Sequence, residues 1–382
     1  ALSIVSYEGL KEMVEFLLKQ GANTSLGYPI TNAVKKKHFE IVELLLKKKA
    51  NINEKDGAGK TALIMAVERR DIETIEFLLK HSSDINSDVK LTALITAVDK
   101  YRRYAKGYVE IIEMLLEHNI DPAHKSKDHD GSTALICAAG RGYVNIVQIL
   151  LDKMSSYEQQ DNHGDTALLK AVDNNRVEVV EFLLKKGADI KARNSDGDTA
   201  IILAGNAKII EQLLEHGADV NAVNKKGESA LSNMARSQCS WSSEGKLNIV
   251  KLLLKNGADP KINPQLISCI NNTKMIELLL SHGADPDVKD DHGSPALSLA
   301  IKKYGDLYKV FLKHKADVDL KDKKGLTPLM YAVRTNKLSK VKYLVEKGAD
   351  ITATNNRGET ALQMAAECYN RDVYIYLKSL KK

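Results

Sequence analysis

Residues 57–61 read Gly-Ala-Gly-Lys-Thr, the second half of a phosphate-binding loop in which a glycine-rich turn offers backbone N–H groups and a lysine reaches the terminal phosphates. The match fails on its own terms. The full pattern needs a glycine five residues before Gly59, where Glu54 stands, and no apolar strand leads into it. Ten histidines raise metal ligation or proton transfer, yet no HExxH pair or closely spaced ligand set occurs. His81, His118, His216, His282 and His314 end apolar helical stripes, where a cation or polar group suits the helix dipole, and His129, His163 and His292 recur between stripes. Cys137, Cys239, Cys269 and Cys368 are scattered with no CxxC pair, so they read as reduced thiols and not as zinc ligands or a disulfide framework. No Ser-His-Asp set or carboxylate pair stands apart. The expectation is a chain that is not an enzyme and holds no cofactor and no metal.

The elements that carry these residues come from a chain of 382 residues, 43% apolar and 28% charged, which excludes a disordered or membrane-embedded protein. No run of eighteen apolar residues exists, so no membrane span is expected, and the first thirty residues lack a signal pattern. A cytoplasmic protein is the expectation. The net charge is +6, but residues 301–382 alone carry 18 basic and 9 acidic side chains, so the last fifth is basic.

Self-similarity organises the whole. Gly-x-Thr-Ala-Leu stands at 59–63, 131–135, 164–168 and 358–362, with variants at Gly197, Gly227, Gly293, Gly325 and Lys90. The Thr, Ser or Pro positions 61, 92, 133, 166, 199, 229, 295, 327 and 360 are mostly 30 to 33 apart, and the step of 66 from 229 to 295 hides one degenerate unit. An apolar helix ending in Leu-Leu and then Gly-Ala-Asp or a relative follows each.

This pattern resembles the ankyrin repeat, whose signature is T-P-L-H-x-A; Thr327-Pro328-Leu329-Met330-Tyr331-Ala332 comes closest. The resemblance covers essentially the whole chain and implies an all-α solenoid of stacked helix-turn-helix units with hairpin fingers. Twelve units form a single array: 1–24, 25–54, 55–87, 88–127, 128–160, 161–193, 194–223, 224–260, 261–289, 290–321, 322–354 and 355–382.

The residues agree. Thr at the head of a first helix caps an N–H, and a small residue recurs as Ala97, Ala138, Ala171, Ala204, Ala300, Ala332 and Ala365 where neighbouring helices must approach closely. Ile75, Leu78 and Leu79 form an i, i+3, i+4 stripe, repeated as Val180, Leu183, Leu184 and as Val250, Leu253, Leu254. Gly187, Gly217, Gly257, Gly283 and Gly348 are expected to end second helices in left-handed caps, with Lys49, Ser82, Asn119 and Lys315 in the same place elsewhere. Ala1-Leu2-Ser3-Ile4 aligns with Ala62-Leu63-Ile64-Met65, so the chain is expected to begin inside a first helix of a longer parent, and the lysine-rich Leu377–Lys382 reads as a polar terminal cap.

Departures from the repeat mark candidate partner sites. The inter-helix turn of the fourth unit is expected to carry about six extra residues, Tyr101 to Lys106, including Arg102, Arg103 and Tyr104. That of the eighth carries about seven, Gln238 to Glu244, with Trp241. Aromatic and arginine side chains dominate binding hot spots, and the alternative is that these turns fold back on adjacent helices. The fingers before Pro29 and Pro264 are short, and about three residues are lost after Ala204.

What the resemblance implies is a scaffold that binds one or more proteins, an acidic surface among them, through a groove of fingertips and first-helix surfaces. Carried over by position, the groove residues are Lys60, Glu68, Arg69, His129, Asp130, Arg141, Asn162, His163, Asp173, Asn174, Lys225, Lys226, Arg236, His292, Lys302, Lys303, Lys323, Lys324 and Arg334. Asn53, Asn86 and Asn221 occupy the position that an asparaginyl hydroxylase modifies in some animal family members, with backbone hydrogen bonding as the alternative. Two further readings stand beside the scaffold. One is the targeting region of a larger enzyme or of a pathogen effector in the host cytosol. The other is an anion- or nucleic-acid-binding module built on Lys302, Lys303, Lys323, Lys324, Lys337, Lys340 and Lys342, with Tyr304 and Tyr308 as stacking platforms. A protein partner is preferred to nucleic acid, and a monomer to an oligomer.

Overall fold

The computed structural model describes the chain apart from residues 102–104, 119, 128, 155, 157, 237–242, 263–265 and 381–382, and apart from the side chains of 105, 106, 236 and 243. Among the described residues there are 23 α-helices, one short 3-10 turn and no strand, the all-helical class expected. Most helices come in packed pairs joined by two or three residues, such as Ala62–Arg69 with Ile72–Leu79 and Pro328–Arg334 with Leu338–Glu346.

The chain divides into two compact bodies, Ala1–Gly217 and Ala218–Lys382. In the N-terminal body first helices pack on first helices, Leu2–Glu8 on Pro29–Lys35 and Ala134–Arg141 on Ala167–Asp173, while second helices pack on second helices, Val177–Lys185 on Ala207–Glu215. The C-terminal body repeats this order with Ala296–Lys303, Pro328–Arg334 and Ala361–Glu367 in one layer and Leu307–Lys313, Leu338–Glu346 and Arg371–Ser379 in the other.

Local chemistry explains each pair. Thr61, Thr133, Thr166, Thr327 and Thr360 each accept the N–H three residues on, a cap worth about 1 kcal/mol. The recurring alanines from Ala97 to Ala365 are at most 1% exposed, because a larger side chain there would hold the first-helix layers apart. Ile75, Leu78, Leu79, Val180, Leu183, Leu184, Val250, Leu253 and Leu254 are all buried, each contributing about 1.5–3 kcal/mol of transfer free energy. Gly187, Gly217, Gly257, Gly283 and Gly348 end their helices with φ between 84° and 91°. Lys49 and Lys315 take the same left-handed conformation at 60° and 64°, which costs a residue with a Cβ about 1–2 kcal/mol.

Three expectations need correction. Thr92 does not cap a helix. The helix begins at Ser87 and runs to Lys100, so Thr92 lies inside it and donates its hydroxyl to the Asp88 carbonyl at 2.8 Å. The segment Ser87-Asp88-Val89-Lys90-Leu91 contains no glycine to turn a finger, and Val89 and Leu91 are buried as part of the helix. Second, Ala105 and Lys106 belong not to the inserted turn but to the next helix, Ala105–Glu117, since nothing in Tyr101–Lys106 breaks a helix. Third, Ser82 does not replace a left-handed glycine; the chain leaves through the 3-10 turn Ser82–Asp84 instead. Asn119 and Pro264 lie outside the described residues. The loss after Ala204 shortens a helix to Ala200–Leu203, and its Thr199 makes no cap: the hydroxyl is buried without a hydrogen-bond partner.

Candidate partner-binding face

Several fingers are held by one Asp or Asn five residues before the helix cap. Its Oδ1 accepts two backbone N–H groups across the tip: Asp56 those of Ala58 and Lys60, Asp161 those of His163 and Asp165, Asp322 those of Lys324 and Leu326, and Asn355 those of Arg357 and Glu359. Gly59 turns the tip at φ 76°, and the Asp56 carboxylate fills the loop that a phosphate would need, so the Gly57–Thr61 resemblance to a nucleotide loop dissolves.

Neighbouring fingers are tied together. Ser195 N–H donates to the His163 carbonyl and Asn356 N–H to that of Lys324, at 2.8 and 3.1 Å. Behind them, Asn53 donates to the Asp84 carbonyl and accepts from Asn86 N–H, and Asn221 does the same with Gly257 and Asp259. These asparagines are therefore engaged in backbone hydrogen bonding between successive units; Asn86 receives such a clamp instead of making one. Of the stripe-ending histidines, His118, His216 and His282 turn Nδ1 to the carbonyl four residues earlier at 2.8–2.9 Å, a helix-terminating role.

Backbone satisfaction leaves exposed side chains on the fingertips and first helices of each body. Arg69, Arg141, Lys302, Lys303 and Arg334 stand in the last turns of first helices, and His163, His292, Lys323 and Lys324 on fingertips; all are exposed. Lys60 is half-buried and paired with Glu68, and Arg141 is paired with Asp99. Lys323 donates to the Asp291 carbonyl at 3.1 Å. In the C-terminal body Lys323, Lys324 and Arg334 come together with Arg357 and Cys368 around an open cleft of about 480 Å³.

Other predicted residues separate from this face. Tyr101 lies at the far end of its first helix from the finger side: its hydroxyl accepts from Asn145 Nδ2 at 2.7 Å and its ring meets Tyr143 edge-to-face at 4.8 Å. It packs on the following unit, the fold-back alternative. Arg102, Arg103, Tyr104 and Trp241, and the side chain of Arg236, lie outside the described residues.

Arg357 and Cys368 were not among the predicted residues. The repeat register contained the signal, because Arg357 follows Lys324 and Cys368 follows Thr335 by 33 positions each.

A family model for ankyrin repeats in sets of three copies matches in overlapping windows that run from residue 32 to residue 381. The chain belongs to the ankyrin repeat family. Among curated relatives, this ankyrin chain is 42% identical over 65 residues to the ankyrin repeat and KH domain-containing protein mask of Drosophila melanogaster, 16% of the chain and 2% of that protein. It is 40% identical over 52 residues to an ankyrin repeat protein of Rickettsia bellii, 14% of the chain and 31% of that protein. The ankyrin chain thus spans less than a third of either relative. Ankyrin repeats are in general protein–protein interaction modules. No helix among the described residues is long and apolar enough to cross a membrane.

Proposed function

We propose that this ankyrin array is a scaffold that binds a partner protein along its fingertips and first helices, with no catalysis of its own. The observation that carries this reading is the division of labour within each unit. Alanines and paired leucines serve stacking, Asp and Asn hold the finger backbone, and the remaining charged side chains of fingers and first helices stand exposed on that packed support, some of them in ion pairs with one another. Within each body, a packed support of that kind presents side chains at low entropic cost.

The lysine-rich second helices of the C-terminal body fit a nucleic-acid role less well. Lys342 lies over the Tyr376 ring, Lys347 over Tyr343 and Lys378 over Tyr374 at 5.5–5.7 Å, so ring faces that would stack on bases are already occupied. The Drosophila relative, named for a KH domain beside its ankyrin repeats, supports a second reading, in which the array addresses a larger protein to its target. The array binds in either case.

The test is affinity capture at moderate salt with the wild-type chain, an Arg69→Glu/Lys303→Glu/Arg334→Glu variant and a second-helix control, Lys185→Glu/Lys251→Glu. A protein retained by wild type and control but lost by the first variant is expected. Capture unaffected by the first variant but lost by the control overturns the face assignment.

A further inference from the structure

The two bodies treat the cations of this face differently. In the N-terminal body five cations are held by neighbouring carboxylates: Lys35 by Asp56, Lys60 and Lys100 by Glu68, Arg141 by Asp99, and Lys170 by Asp161 and Asp165 at 3.4 and 3.1 Å. In the C-terminal body Lys309 pairs with Asp306 and Lys313 with Glu277 on second helices, whereas Lys324, Arg334 and Arg357 around the cleft make no ion pair among the described residues.

The repeat register explains the difference. Tyr331 occupies the place of Lys170, and Leu326 that of Asp165. The Tyr331 hydroxyl donates to Asp322 Oδ2 at 2.7 Å, while Asp322 Oδ1 holds the finger backbone, so this carboxylate is satisfied by neutral donors and leaves the nearby cations unpaired. Burial and the bond to Asp322 push the Tyr331 hydroxyl up to about 12, which keeps it a donor. Of the two acidic residues in the cleft wall, Glu359 accepts from Asn355 Nδ2 at 2.8 Å; Glu367 is the other. Two guanidinium and two ammonium groups, of which Lys323 is bonded to the Asp291 carbonyl, thus line an open volume against two carboxylates.

We infer that this cleft binds an oxyanion side chain, carboxylate or phosphate, on an extended segment of a partner protein, with Arg334 and Arg357 as its ligands and Lys324 adding charge. The inference rests on the scaffold reading and names the chemistry of one stretch of it. Guanidinium forks suit both oxyanions because each offers two parallel N–H donors, and a volume of about 480 Å³ admits one or two residues. On the corresponding surface of the N-terminal body Lys60, Arg141 and Lys170 are held by carboxylates of that body.

Cys368, exposed in the cleft wall, is a built-in reporter. Burial holds the Cys137 and Cys269 thiols at about 11 and 12, so both react slowly. In a Cys239→Ser background, the ratio of Cys368 alkylation rates with anionic iodoacetate and neutral iodoacetamide cancels differences in thiolate fraction and reads the local potential. Arg334→Gln/Arg357→Gln is expected to lower that ratio at least 3-fold. Fluorescein-labelled dodecapeptides of Glu-Ser, phosphoserine-Gly and Gln-Ser composition then test binding by anisotropy on the full chain. The two anionic peptides are expected to bind at least 10-fold tighter than the neutral one and to protect Cys368, and the double variant to lose that preference, while Arg69→Gln/Arg141→Gln keeps it. A tighter phosphoserine complex assigns the site to phosphate, and equal affinities assign it to carboxylate. An unchanged alkylation ratio, or anionic peptides binding no better than the neutral one, overturns the inference. If a captured protein partner is still lost on Arg69→Glu/Lys303→Glu/Arg334→Glu when the peptides fail, the scaffold survives and only the oxyanion site falls.

Discussion

Phe77 lies flat against Phe39 of the preceding unit, ring centroids 4.4 Å apart and planes inclined by 20°. The stack joins two successive second helices on their half-buried flank, where aliphatic packing has given way to solvent. Phe16 occupies the register of Phe77 in the first unit but is 55% exposed.

That contrast gives the first prediction. Phe77→Ala should destabilise the N-terminal body by about 2 kcal/mol, with a coupling to Phe39→Ala of about 0.5–1.5 kcal/mol in a double-mutant cycle. Phe16→Ala should stay within about 0.5 kcal/mol of wild type. Urea titration followed by circular dichroism reads all of these, and equal losses at 77 and 16 would show that the stack contributes nothing.

Helix capping separates Thr133 from Thr92. Thr133→Ala removes the bond to Ile136 N–H and should cost about 1 kcal/mol, whereas Thr92→Ala, inside a helix, should be neutral or stabilise by up to about 0.5 kcal/mol. Thermal melts of the two variants are expected to move apart.

Asn221 contributes a donor to Gly257 and an acceptor to Asp259. Asn221→Ala should lower local stability by about 1–2 kcal/mol, and Asn221→Asp, which keeps the acceptor alone, by less. Amide hydrogen exchange at Asp259 reports the clamp directly; unchanged protection in the alanine variant contradicts it.

Glu54 supplies the pH dependence. Its Oε1 is buried without a hydrogen-bond partner, and burial pushes its carboxyl up to about 7. The folded state therefore binds more protons than the unfolded one between about pH 4.5 and 7, and stability falls as pH rises through that window. Glu54→Gln should raise stability at pH 8 by on the order of 1 kcal/mol and leave it nearly unchanged at pH 4.5, measured as the difference in denaturation midpoint at the two pH values.

The sequence by itself determined the class of this molecule and most of its local architecture. A Thr cap, a close-packed Ala, a Leu-Leu stripe and a glycine stop are demands between residues a few positions apart, so they recur visibly at a period near 33. Where the period carried a residue type without its setting, as with Thr92 and Ser82, the local reading failed because neighbouring residues offered a longer helix or a 3-10 turn instead. The tertiary structure decided which charges of the candidate face are held in ion pairs. Arg141 finds Asp99 in the preceding unit and Lys170 finds carboxylates on its own finger, whereas Tyr331 takes that role for Asp322, and Lys324, Arg334 and Arg357 make no ion pair among the described residues. It also placed Tyr101 against Tyr143 and Asn145 and not on the finger side. Pairing across units depends on distances that only the stacked helices set, and a count of lysines and glutamates cannot contain it.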